Sequence, residues 1–346
     1  MKTFTALINC TILLTLMVIA LGAYTRLTDA GLGCPDWPGC YGKLTAPLHD
    51  GHVAEAQQNF PDATVEPHKA HNEMMHRYIA GLLGLCVLAI TFFCFWLKQY
   101  RIVGIVILLL VIFQAALGMW TVTLNLLPLV VLAHLLGGFT LFSLLVLLRV
   151  EIASQQKQLA TEPALGNLLP LAYFALLVLL IQISLGGWTS SNYAATVCYQ
   201  LPFCESGWQE RFSFQAAFSM PLGHDTYEFG VLSYEERMSI HVLHRMGAIF
   251  TLLVLGTFVF LCWRRAVSKI MRFMTWAIGS LLLLQLTLGL INILAQLPLL
   301  NAVAHNLVAA NMLMMLVVFI RQIHLRKTEQ YKAHTPIIEK ERPIIS

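Results

Sequence analysis

Charge is what this chain has least of: Asp, Glu, Lys and Arg make up 12% of its 346 residues, against roughly a quarter in ordinary soluble domains. So few ionisable side chains cannot coat a soluble globule of this length. With 58% hydrophobic residues and a mean hydropathy of +0.70, the chain belongs in a bilayer. Equally absent, in any supporting context, are a phosphate-binding glycine loop, a dinucleotide glycine fingerprint and a hydrolase serine motif. The net charge of +4 follows membrane topology and gives no reason to expect nucleic acid.

Long hydrophobic runs are abundant. A crossing needs about 20 apolar residues, and the runs at about 4–25, 76–97, 102–122, 129–149, 168–188, 242–263, 271–291 and 300–320 qualify. The first could be a signal peptide, with Lys2 before it and Ala20-Leu21-Gly22 loosely like a cleavage site, but the repeat described next uses it as a helix. Eight crossings put both termini on one side. Lys98, Arg101, Arg149, Lys157, Arg264, Arg265, Lys269, Arg272 and the tail from Arg321 to Arg342 fall on that side, so both termini are expected in the cytoplasm. The two long loops, about 28–72 and 190–240, carry most of the acids and are expected outside.

The chain repeats itself. A shift of 164 positions places Leu21-Gly22 on Leu185-Gly186, Thr25 on Thr189, Cys34 on Cys198, Pro38 on Pro202 and Cys40 on Cys204. After a slip of four residues His76-Arg77 falls on His244-Arg245. After a further slip of three, Gln114 falls on Gln285, Leu117-Gly118 on Leu288-Gly289 and Ala133-His134 on Ala304-His305. An even number of helices per copy inserts both copies in the same orientation, related by an axis along the membrane normal. The expected fold is therefore all-α integral membrane: eight transmembrane helices as two pseudo-symmetric four-helix bundles. The expected divisions are an N-terminal bundle at 1–150, a cytoplasmic linker at 151–167 with Glu151, Gln155, Gln156, Lys157 and Glu162, a C-terminal bundle at 168–325 and a cytoplasmic tail at 326–346.

Four histidines follow the repeat. His76 and His134 in the first half match His244 and His305 in the second, each pair at similar depth near the outer face, with His134 and His305 roughly 9 Å inside their helices at 1.5 Å per residue. A lone histidine in a membrane helix can simply bond a neighbouring carbonyl or hydroxyl. Two repeated pairs instead suit the axial ligation of heme iron. Zinc wants three or four protein ligands, and no cysteine or carboxylate cluster accompanies either pair at helix depth.

Around these pairs stand further candidates. Arg77 and Arg245 follow the first histidine of each pair and could reach a heme propionate or snorkel to water. Glu73 precedes His76 by three residues, and if the helix extends outward by one turn the two share a face, whereas His241 stands at the matched place in the second half. A carboxylate at only one site points to two sites of different function, with Glu73 as proton acceptor or charge stabiliser; a helix N-terminal acid favoured by the dipole is the plainer alternative. Cys34 and Cys40 in GLGCPDWPGCYG and Cys198 and Cys204 in ATVCYQLPFCESG lie on the oxidising side, and repeat symmetry favours the local disulfides Cys34–Cys40 and Cys198–Cys204. They could shape a loop over the heme pocket or exchange electrons. Cys10, Cys86, Cys94 and Cys262 read as packing residues, as does the methionine-rich run near 312–315. QAALGMWT (114–121), QISLGGWT (182–189) and QLTLGLIN (285–292) each offer a glutamine for interhelical hydrogen bonds and a glycine for close approach. His49, His52, His68 and His71 read as solvated loop residues, and the segment near 205–238, with Trp208, Phe212, Phe214 and Phe218, reads as lying at the membrane interface.

GAYTRLTDAGLGCPDWPGCYG (22–42), EMMHR (73–77), HVLHR (241–245), His134 and His305 together resemble the heme A synthase family over essentially the whole chain. The resemblance implies oxidation of the C8 methyl of heme O to a formyl group, by two successive hydroxylations to a geminal diol that loses water. By it, His244 and His305 ligate a resident heme b in the second half, His76 and His134 frame the heme O substrate in the first, and Glu73 is the catalytic carboxylate. It also implies a bacterial inner membrane location with periplasmic long loops. The implied partners are heme O, lipid, a heme O synthase (farnesyltransferase), an electron donor and oxidase assembly factors, and a homo-oligomer is allowed. Two other classes stay open: a diheme b-type electron carrier or quinol oxidoreductase, and a non-catalytic heme carrier. A pure electron carrier would usually stack its hemes across the membrane, whereas all four histidines lie near one face.

Overall fold

In a computed structural model the described residues are 1–155, 160–220 and 222–334, with side chains described to 327. Gln156 and Lys157 of the expected linker, and 335–346 of the expected tail with Arg342, lie outside them. The helices are α1 (Lys2–Leu27), α2 (Asp50–Asn59), α3 (Pro67–Trp96), α4 (Arg101–Thr123), α5 (Pro128–Ser154), α6 (Pro163–Gly166), α7 (Leu169–Ser191), α8 (Trp208–Arg211), α9 (Tyr234–Arg265), α10 (Lys269–Leu294) and α11 (Leu299–His334). Eight of these are long and apolar enough to cross a membrane, as the hydropathy requires. Among the described residues there is no strand, only an isolated bridge between Cys40 and Lys43.

Several helices outrun their apolar runs. Proline at the first turn starts α3 at Pro67, nine residues before the expected 76, and a capping box starts α9 at Tyr234: Ser233 Oγ accepts from Glu236 N at 3.3 Å while Glu236 Oε2 accepts from Ser233 N at 2.8 Å. His76 and His244 therefore do not open their helices; they are the tenth and eleventh residues of α3 and α9. The expected tail begins as the continuation of α11, which runs to His334.

The spanning helices close into two rings. In the first, α1 packs on α3 and α5, and α4 joins α3 to α5; in the second, α7 packs on α9 and α11, and α10 joins α9 to α11. Between the rings α5 meets α11, and the contact of α1 with α11 is matched by that of α7 with α5, the pattern a two-fold axis produces. Repeat mates even touch across that axis, since an Arg26 amine donates to the Ser190 carbonyl at 2.6 Å, 164 positions away. Arg26 also lies 3.9 Å over the Tyr193 ring. At the opposite end Arg321 forks onto Glu151 at 2.9–3.0 Å, joining α11 to α5.

Packing divides the bundles by depth. On the face carrying both termini, here the terminal face, Phe4, Ile8, Val87, Ile90, Leu145 and Leu148 fill the first ring, while Phe142, Leu255, Phe258, Leu316 and Phe319 fill the second and the seam. In lipid such contacts hold helices together by van der Waals packing rather than by expulsion of water. Nearer the loop face the interior loosens: no residue from Val131 to Gly138 on α5, or from Val303 to Val308 on α11, is fully buried. Each stretch spans about two turns and so presents every side of its helix. Packing is thus less complete around His134 and His305 than at the terminal face.

Candidate functional site

Each histidine is backed by a glycine on the neighbouring helix. A methyl group added at Gly22 of α1 would stand 2.9 Å from Cε1 of His76, and one at Gly186 of α7 would stand 3.0 Å from Cε1 of His244. Gly118 of α4 and Gly289 of α10 stand likewise 3.5 Å and 3.3 Å from Cε1 of His134 and His305. These glycines are themselves repeat mates, so small residues at four matched places let four imidazoles bring Cε1 close to a neighbour's backbone. The His76 and His134 rings come to 6.5 Å between centroids, at 76°. Two metal–nitrogen bonds of ~2 Å plus the two ring radii account for roughly that span. All four rings are half-buried, and Nδ1 of His76, His134 and His305 is buried without a partner among the described residues.

The two halves then diverge. His244 is tethered: Gln182 Nε2 lies 3.1 Å from its Nδ1 and donates to its carbonyl at 3.0 Å. Gln285 Nε2 lies 3.1 Å from His305 Nε2. In the first half Gln114, the mate of Gln285, presses on Gly137 instead and leaves Nε2 unpartnered.

Glu73 and His76 share one face of α3, as the spacing predicts once the helix extends outward. Glu73 is 5% exposed; Oε2 accepts from Cys34 N at 2.8 Å and Oε1 accepts from Arg77 at 2.5 Å. His241, equally buried, occupies the matched place on α9 with Nδ1 unpartnered.

Both expected disulfides are formed, Cys34–Cys40 and Cys198–Cys204, each with Cα atoms 4.8 Å apart. The arginines bind these loops. Arg77 donates to the carbonyls of Asp36 at 2.9 Å, Pro38 at 3.4 Å and Gly39, and Arg245 donates to those of Gln200 at 2.7 Å, Phe203 at 2.5 Å and Cys198. In each case three carbonyls of the tight disulfide loop hold the guanidinium. Asp36 finishes the first loop by accepting from Tyr41 N at 2.6 Å and Gly42 N at 2.9 Å. Burial, with the carboxylates of Glu73 and Asp36 nearby, pushes the Tyr41 phenol above its usual range.

The second long loop crosses to the first bundle. Asn125, in the α4–α5 turn, donates to the Asp225 carbonyl at 2.7 Å and accepts from Tyr227 N at 3.0 Å. Burial raises the pKa of Glu228 in this loop, with Lys69 opposing. Trp208 and Phe212 pack against the second disulfide rather than facing outward, whereas Phe214 and Phe218 are exposed. His49, at the N-cap of α2, and His52, within it, stand exposed.

Sequence comparison matches residues 5–317 to a family described as cytochrome oxidase assembly protein. A heme A synthase of Shewanella oneidensis is 50% identical over 315 residues, covering 90% of this chain and 94% of its own length. Heme A synthases of Neorickettsia sennetsu and Rhizorhabdus wittichii are 22% and 24% identical over 90% and 89% of this chain, and 96% and 91% of theirs. With eight spanning helices, duplicated histidine pairs and a match along nearly its whole length, the chain belongs to the heme A synthase family of cytochrome oxidase assembly proteins.

Proposed function

We propose that this chain oxidises the C8 methyl of heme O to the formyl group of heme A, with the substrate framed by His76 and His134 in the bundle of residues 1–150. A resident heme b is held by His244 and His305 in the bundle of residues 168–325. The donor set fits both groups: two imidazoles in each bundle, buried unpartnered Nδ1 atoms on His76, His134 and His305, and a glycine close to Cε1 of every ring. When bound, heme b supplies one-electron redox capacity beside the substrate site. The protein lies in the bacterial inner membrane with its terminal face in the cytoplasm, a reading supported by the arginines and lysines flanking the short loops of that face.

The observation that carries this reading is a buried carboxylate beside one histidine pair. Glu73 sits one helical turn from His76, and among the described residues no buried carboxylate takes the matched place before His244, where His241 stands, so proton chemistry belongs to the first half. The Cys34 amide and the Arg77 guanidinium each fix one oxygen, which orients the carboxyl group and offsets the cost of burying its charge. Glu73 then holds or accepts a proton at the oxidised methyl, while the disulfide loop and Arg77 keep it in place. Replacing Glu73 by Gln keeps the shape and removes the base. Both hemes should stay bound while heme A yield, measured by chromatography of extracted hemes, falls by roughly a hundredfold or more. An undiminished yield would remove Glu73 from the chemistry.

A further inference from the structure

A groove of about 80 Å³ opens toward lipid between α7 and α9. Ile181 and Phe250 at its mouth are 53% and 52% exposed, and Gln182, Gly247 and Thr251 line it farther in. A water molecule needs roughly 10–15 Å³ on this measure, so the space suits one ring rather than a macrocycle.

Two oxygens on residues lining this groove are buried and have unspent hydrogen-bonding capacity. Thr251, 4% exposed, has an Oγ1 without a partner, and so does Oε1 of Gln182. Threonine inside a helix commonly donates to the carbonyl four residues back, as Thr11, Thr91, Thr189 and Thr275 do here; Thr251 does not. In a medium without water, an unmet hydroxyl and an unmet amide oxygen are costly to keep. The first half does not keep them: Val18, Ile79 and Leu83 stand at the places matched to Gln182, Gly247 and Thr251. Gly247 is what admits the amide, since a methyl there would stand 2.3 Å from Gln182 Oε1.

We propose that this groove binds the head of a membrane-borne quinol or quinone, with the Thr251 hydroxyl and the Gln182 amide hydrogen-bonding the ring oxygens and the tail running out past Ile181 and Phe250. An acyl chain would leave both polar groups unmet, and a soluble ligand would have to cross lipid to arrive. Gln182 also holds His244, so an occupant here is one side chain from that imidazole.

Binding can be read without turnover, which separates this inference from the reaction proposed above. Protein in lipid nanodiscs is titrated with decyl-ubiquinone by calorimetry, with empty discs as the partition background. Saturable binding at one site is expected, weakened about tenfold, or 1.4 kcal/mol, in Thr251→Leu and restored in Thr251→Ser. Heme absorbance should be unchanged in Thr251→Leu, showing an intact second bundle. Ile181→Trp, placed at the lipid-exposed mouth where added bulk does not disturb the core, should weaken binding likewise. Titration no different from empty discs, or wild-type affinity in both Thr251→Leu and Ile181→Trp, would overturn the proposal.

Discussion

A close approach of glycine to the Cε1 of an imidazole recurs four times, and it makes the ligand positions sensitive to single methyl groups. Gly186→Val adds a Cβ 3.0 Å from Cε1 of His244, with branches nearer still, so the ring must tilt or the helices part. Protein purified with this change should carry about a tenth or less of the wild-type heme b per chain, measured as the pyridine hemochrome. Full heme content would mean that His244 does not need this space. The glycines and histidines were legible in sequence because they repeat in the same order, at offsets of 164, 168 and 171 positions, and so was the contrast of Glu73 with His241. The targets of Arg77 and Arg245 were not. Their carbonyl partners come from loops some forty positions earlier in the chain, and no local spacing announces such a contact. Gln182 was legible as a helix-bonding residue, but its tether to His244 depends on how α7 and α9 are rotated against each other.

At the level of elements, hydropathy found all eight spans and misjudged where several begin. It registers only the part of a helix that meets lipid, whereas α3 and α9 start in polar sequence and reach about two turns beyond it. A signal for α9 was present: Ser233 followed three residues later by Glu236 is the sequence form of the capping box that the structure shows. Those added turns carry His241 and bear on the second disulfide loop, so the cap stabilises more than a helix end. Ser233→Ala should cost about 1 kcal/mol and lower the thermal unfolding midpoint of the purified protein, with Ser233→Asp close to wild type. An unchanged midpoint in Ser233→Ala would show that packing alone sets the start of α9. The short α2 gave no comparable signal, since its ten residues are mostly polar and solvent-facing.

For the whole molecule, the pseudo-two-fold axis explains how one duplicated unit can bear two different sites. Symmetry fixes what both halves share: the histidine depth, the glycine backing, the disulfide loops and the arginines that clasp them. Departures from symmetry then mark division of labour, with Glu73 buried beside one pair, and Gln182 and the α7–α9 groove beside the other. Offset and register made the duplication readable in sequence. The looser packing near the loop face and the tight seam at the terminal face are results of side-chain packing, which composition does not reveal. The most direct test of a substrate site paired with a resident site is to identify, by chromatography, the hemes extracted from protein expressed with and without a source of heme O. Heme b should be present in both preparations, joined by heme O and heme A only when heme O is supplied; heme b alone in both would contradict the account.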